Sequence, residues 1–151
     1  RWLLGEEVSE VAAFVNTLHK EADVDDNATT LLKMESGAIG TMAASWTYYK
    51  GEDNTTTIYG ENGVLEIRDH PEVQVVVKLT DSSVEQYSVG AIATNEAGGQ
   101  VASGVIDEFV TSIIEDREPA ITGEEGMKSL QVVLAALQSS ETKAFVAVKE
   151  V

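Results

Sequence analysis

Two periods divide the chain. Up to about residue 89 apolar residues tend to recur at every second position, and from about Gly98 they recur at every third or fourth. The first period belongs to strands, whose side chains alternate between faces, and the second to helices. Arg1 to Leu4 reads as the last turn of a helix stopped by Gly5, because glycine accepts the left-handed conformation that ends helices. Val8, Val11, Ala13 and Val15 predict a strand within residues 7–18, and a polar, acidic connection follows over residues 19–27. Residues 28–35 and 38–48 predict a hairpin across Ser36-Gly37. In its second strand Ala38, Gly40, Met42, Ala44 and Trp46 share one face, while Ile39, Thr41, Ala43, Ser45 and Thr47 share the other. Neither face is strongly charged, so both are expected to be at least partly covered. Residues 55–59 and 64–68 predict a second pair across Gly60-Glu61-Asn62-Gly63, where Asn-Gly marks a tight turn because both residues tolerate positive φ. Residues 72–80 and 83–89 continue across Asp81-Ser82, with Val73, Val75, Val77 and Leu79 on one side.

Val105, Ile106, Phe109, Val110, Ile113 and Ile114 then recur at the spacing of a helix face, and this helix is expected to end near Asp116, before Pro119. Thr122-Gly123-Glu124-Glu125 is a capping-box pattern that opens a second helix carrying Met127, Leu130, Val133, Leu134 and Leu137. Residues 144–148 close as a short strand. A meander, then two helices, then one strand predicts an α+β fold: an open, largely antiparallel sheet with both helices packed on one face, as a single domain over residues 1–151.

Composition narrows the function classes. Ten Lys and Arg oppose 26 Asp and Glu, a formal net charge of −16, so the field repels nucleic-acid backbones and anionic membranes. The acids are scattered, which fits a solvated surface. Hydrophobic residues at 43% suffice for a core. Cysteine is absent, which removes disulfides, thiolate metal sites and cysteine nucleophiles. No apolar run reaches the length of a membrane span and no secretion signal is read, so a cytoplasmic location is expected. Arg1 is no initiator methionine and Trp2-Leu3-Leu4 follows at once, so the chain reads as a segment of a longer polypeptide.

Most candidate chemistry falls away. Neither G-x-G-x-x-G nor G-x-x-x-x-G-K-S/T occurs. Asp23-Val24-Asp25-Asp26-Asn27 starts like a calcium loop, but Ala28 stands at the required glycine and Met34 at the required glutamate, leaving an acidic solvated turn. His19 and His70 sit in no metal-ligand or nucleophile spacing and read as surface residues. Asp107-Glu108 flanks an apolar helix stripe and reads as solvent-facing, and the glycosylation-like Asn27-Ala28-Thr29 and Asn54-Thr55-Thr56 lack a secretory context. Trp46, Tyr48, Tyr49 and Lys50 remain. Aromatic faces beside an amine and hydroxyls suit sugars and polyols; packing into a core or against a subunit is the other reading.

Several segments, in order, resemble the C-terminal domain of the glucose–fructose oxidoreductase/inositol dehydrogenase/MocA (Gfo/Idh/MocA) family of NAD(P)-dependent oxidoreductases. They are Trp2-Leu3-Leu4-Gly5 with Glu7 to Ala13, the aspartate-led hairpin from Asp26-Asn27-Ala28 through Ser36-Gly37 to Ser45-Trp46, and Ile58-Tyr59-Gly60-Glu61-Asn62-Gly63-Val64-Leu65. The helix boundaries Phe109 to Pro119 and Thr122 to Gly126, and the small-residue helix end Ala136 to Ser140, complete the set. The resemblance implies an N-terminal Rossmann domain holding NAD or NADP, a catalytic lysine beyond it, and a histidine–aspartate pair just upstream of Trp2; none of these maps to a residue here. It implies that this part roofs a sugar- or polyol-like substrate, forms homodimers or higher oligomers through its sheet, binds no cofactor by itself, and is inactive alone. A stand-alone sugar-binding module and a purely structural assembly domain are the rival readings.

Overall fold

The computed structural model describes residues 1–19, 21, 23–47, 53–68, 70, 72–88 and 104–149. In chain order its elements are β1 (Val8–Asn16), β2 (Asn27–Met34), β3 (Ile39–Ser45), β4 (Thr56–Gly60), β5 (Gly63–Ile67), β6 (Val75–Leu79), β7 (Val84–Tyr87), α1 (Val105–Ile114), α2 (Gly123–Thr142) and β8 (Val146–Ala147). Each falls within or beside the segment its periodicity predicts. The architecture is α+β, with the strands in two antiparallel sheets of four and two helices. The chain divides into two compact units, Arg1–Thr47 with Glu118–Val151, and Tyr48–Arg117.

In the first unit the strand order is β3-β2-β1-β8. Val11 pairs with Leu32 and Leu32 with Gly40, while Ala13 pairs with Thr30 and Thr30 with Met42. Directly paired residues share a face, so these positions form one side of the sheet. Helix α2 packs against it at β1, and the core gathers Val8, Val11 and Met34 with Ala135 and Ala136. The other side carries Ala12, Phe14, Thr29, Leu31, Ile39, Thr41 and Ala43, and Phe14 and Ile39 stand 84% and 85% exposed. Strand β3 is exposed along its whole length, unlike the covered strand that its uncharged faces suggest.

The helix differs from expectation in a second way. Met127, Leu130, Val133 and Leu134 are exposed, and α2 instead buries Ala135, Ala136 and Ser139. Small residues let a helix axis approach the sheet closely, and that approach brings serine hydroxyls within reach of strand amides. The Ser139 hydroxyl accepts from Ala13 N–H at 3.0 Å and donates to the Ala144 carbonyl at 2.6 Å. The Ser140 hydroxyl accepts from Val15 N–H at 2.9 Å. Strand β8 pairs only with Glu10 and Val11, so these hydroxyls satisfy donors on the stretch of β1 edge that β8 leaves open. The N-cap half of the capping box forms, with Glu125 N–H donating to Thr122 Oγ1 at 3.3 Å, while the Glu125 carboxylate accepts from Arg1 and Lys128.

Arg1 fastens the first turn to this unit. Its guanidinium donates twice to Glu7, at 2.5 and 2.8 Å, and once to the Glu125 carboxylate at 2.9 Å. Lys128 reaches both carboxylates, at 3.3 and 3.2 Å. Hydrogen bonding from Arg1, against partial burial, holds the Glu7 carboxyl down at about 2. Gly5 closes the turn in the left-handed region, at φ 66°, with its N–H donating to the Arg1 carbonyl at 2.8 Å.

The second unit contains the sheet β4-β5-β6-β7 and α1. Its first hairpin has Glu61 and Asn62 as loop residues, and neither adopts positive φ. The glycine that matters is Gly63, already in β5, at φ 148°. A Cβ there would stand 2.0 Å from the Lys78 carbonyl oxygen, so glycine is required by the close approach of β6 as well as by φ. Glu66 accepts from both Arg68 and Lys78 across the β5–β6 surface. His70 is an exposed turn residue whose Nδ1 accepts from Glu72 and Val73 N–H at 3.2 and 3.1 Å. Helix α1 ends in a Schellman-type turn: Asp116 is left-handed at φ 51°, and Arg117 N–H donates to the Ser112 carbonyl at 3.0 Å. The Arg117 guanidinium then grips Glu108 and Glu115.

Candidate functional site

Antiparallel register brings three chain segments to one end of the first sheet. Asn16 pairs with Asn27, and Asn27 with Ser45, so the end of β1, the start of β2 and the end of β3 lie side by side. Trp46 follows directly and stands 80% exposed. Its backbone N–H donates to the Asp26 carbonyl at 2.9 Å. The Ser45 hydroxyl bonds Asn27 Oδ1 and Thr47 Oγ1, each at 2.6 Å, and accepts from Thr47 N–H at 3.1 Å. The strand end is therefore a set of backbone positions held by short polar links, carrying an indole into solvent. Tyr48, Tyr49 and Lys50, the other residues picked out in the sequence, lie outside the described residues.

The residue that builds this end is Asp26, and the sequence reading places it in a solvated turn. Asp23 and Asp25 are exposed as expected, but Asp26 is only 4% exposed. Its two carboxylate oxygens accept from Leu18 and His19 N–H, each at 2.8 Å, and Asn27 Nδ2 adds a third bond at 2.7 Å. A buried carboxylate is tolerated only when donors surround it, and here the connection after β1 folds back to supply them. The Asp-Asn pair ahead of the strand was the available signal. Apart from that pair, nothing local distinguishes Asp26 from the acids beside it.

The opposite end of β1 offers a shallow cavity of about 270 Å³ lined by Glu7, Val8, Ser9, Glu35, Lys128, Gln131 and Val148. Of its three charged groups, Glu7 and Lys128 are engaged with each other and with Arg1 and Glu125. Among the described residues no group of three or more His, Asp or Glu is placed to hold a metal ion. Helix N-termini are the usual cradle for a dinucleotide pyrophosphate. Here α1 opens with Asp107 and Glu108 and α2 with Glu124 and Glu125, and carboxylates at those positions oppose a phosphate. These residues do not fit a dinucleotide.

Residues 1–66 match the family model for the GFO/IDH/MocA C-terminal domain. The whole chain aligns with 46% of the myo-inositol 2-dehydrogenase of Thermotoga maritima, at 30% identity over 156 residues. Over residues 1–66 the chain is thus similar to the Gfo/Idh/MocA C-terminal domain, and the likeness to this relative runs over the chain's whole length. Solved structures of this kind superpose over nearly all of it. A WlbA dehydrogenase from Chromobacterium violaceum, in complex with NADH and UDP-GlcNAcA, covers 98% of the chain at TM-score 0.72 and 26% identity. An aldose–aldose oxidoreductase from Caulobacter crescentus, complexed with glycerol, covers 97% at TM-score 0.75 and 23% identity, a likeness of fold. The chain spans 42% and 43% of those two proteins, less than half of each. Among the described residues no helix is long and apolar enough to cross a membrane.

Proposed function

We propose that this chain is the substrate-side and oligomerisation domain of a longer, cytoplasmic NAD(P)-dependent oxidoreductase acting on a sugar- or polyol-like alcohol, and that it is inactive alone. The observation that carries the reading is a likeness to a sugar-oxidoreductase family domain in a chain whose own helix N-termini do not fit a dinucleotide. Nicotinamide, and the hydride exchanged with it, would belong to the remainder of the longer protein. The strand end at Trp46, continuing into Tyr48, Tyr49 and Lys50, is the proposed substrate contact. An exposed indole on a fixed backbone can cover the apolar face of a polyol while neighbouring polar groups take its hydroxyls. The relatives named above act on or hold an inositol, an aldose, a glycerol and a nucleotide sugar, which supports a polyhydroxylated substrate class.

The test compares the full-length protein with the 151-residue chain. The full-length protein is expected to reduce NAD⁺ or NADP⁺ with myo-inositol or glucose, and the chain alone to give no turnover and no saturable heat on titration with NADH. Turnover by the chain, or micromolar NADH binding to it, would overturn the reading.

A further inference from the structure

Asp26 holds two segments at once. Its carboxylate fixes the connection after β1 through the amides of Leu18 and His19, and its carbonyl fixes the strand end through the amide of Trp46. Its own N–H donates to the Asn16 carbonyl at 3.2 Å, and Thr17 Oγ1 closes the connection on the Val24 carbonyl at 2.9 Å. The carboxylate cannot be replaced by its amide without loss, because both oxygens face N–H donors and an –NH₂ in place of one would leave two donors in opposition.

We propose that Asp26 is a positioning residue for substrate, setting the backbone on which Trp46 is presented and the place of the Leu18–His19 connection beside it. This rests on the reading that a polyol lies against the Trp46 end. Stacking on an indole is short-ranged and depends on ring placement, so a frayed strand end weakens binding even when every contacting side chain is retained. The effect belongs in KM, since a tether that only pre-forms the site acts on substrate and transition state alike. Asp26 touches no reacting atom in this account.

The experiment uses the full-length protein with myo-inositol and glucose as probes. Asp26→Asn is expected to raise KM by about tenfold with kcat within about twofold, and to add nothing further in a Trp46→Ala background. Amide exchange at Leu18, His19 and Trp46 should quicken in the same variant. Leu18→Pro removes one donor and leaves the carboxylate in place, so it serves if Asp26→Asn fails to fold; a rise in KM of about threefold is expected. An unchanged KM in these variants, in a protein where Trp46→Ala does raise it, overturns the positioning role and leaves the site reading intact. An unchanged KM in Trp46→Ala removes the site reading, and the positioning role with it.

Discussion

Two hairpin turns of the same shape carry different residues at the left-handed position. In the first, Met34 N–H donates to the Ala38 carbonyl at 2.8 Å and Gly37 N–H to the Met34 carbonyl at 3.0 Å, with Gly37 at φ 92°. In the other, Leu79 N–H donates to the Ser83 carbonyl at 2.9 Å and Ser82 N–H to the Leu79 carbonyl at 3.0 Å, with Ser82 at φ 72°. A side chain is strained in that region, whereas glycine is not, although glycine loses more entropy on folding. The strain is the larger effect, so Ser82→Gly is expected to stabilise the fold by about 0.5–1 kcal/mol. Urea denaturation reads it directly, and a lowered midpoint would sink the argument. Both turns are legible from Ser36-Gly37 and Asp81-Ser82, because turn chemistry is local. Asp26 is not legible, because its burial is decided by amides eight and seven positions earlier that fold back onto it.

At the scale of the element, α2 shows which part of a helix the tertiary structure selects. The apolar stripe Met127, Leu130, Val133 and Leu134 is the obvious packing face by pattern, yet those residues stand exposed in this chain. The buried side is Ala135, Ala136 and Ser139, with Ser139 joining the Ala13 amide to the Ala144 carbonyl. Ser139→Ala leaves both backbone groups without that partner in a buried place, and a loss of about 1–3 kcal/mol is expected. Ser140→Ala should cost less, since Ser140 is only half-buried. Thermal denaturation of the two variants checks the order; equal and negligible losses would show that water replaces the hydroxyls.

On the scale of the whole molecule, the notable feature is how much apolar surface its own core leaves uncovered. The first unit's open sheet side presents Phe14, Leu31 and Ile39 with Ala12 and Ala43, set among Thr29 and Thr41 and bordered by the Glu10–Lys33 pair, 3.6 Å apart. Contiguous apolar surface of this kind drives association, and a twofold self-pairing is the commonest solution. The proposed oligomer therefore predicts that Phe14→Glu with Ile39→Glu yields monomers in light scattering while the parent chain is at least dimeric. Added salt should strengthen the parent's association, because it screens a net charge of −16 on each copy. A parent chain that stays monomeric at high concentration in salt would refute it.

The amino-acid sequence by itself determined the element types, their order and most of their limits. Alternation, the Thr122 capping box and the glycine and serine turns are short-range features, and their physics is complete within a few residues. It also carried the family resemblance that the alignments bear out. Only the tertiary structure decided the split into two sheets, the choice of small over large residues on α2, the need for glycine at position 63, and the burial of Asp26 among its fellow acids. Each of those depends on a partner distant in sequence: a strand edge, a facing carbonyl, a returning amide. A pattern of polar and apolar positions records that a residue can be buried, while the partner that makes burial favourable exists only once the chain has folded.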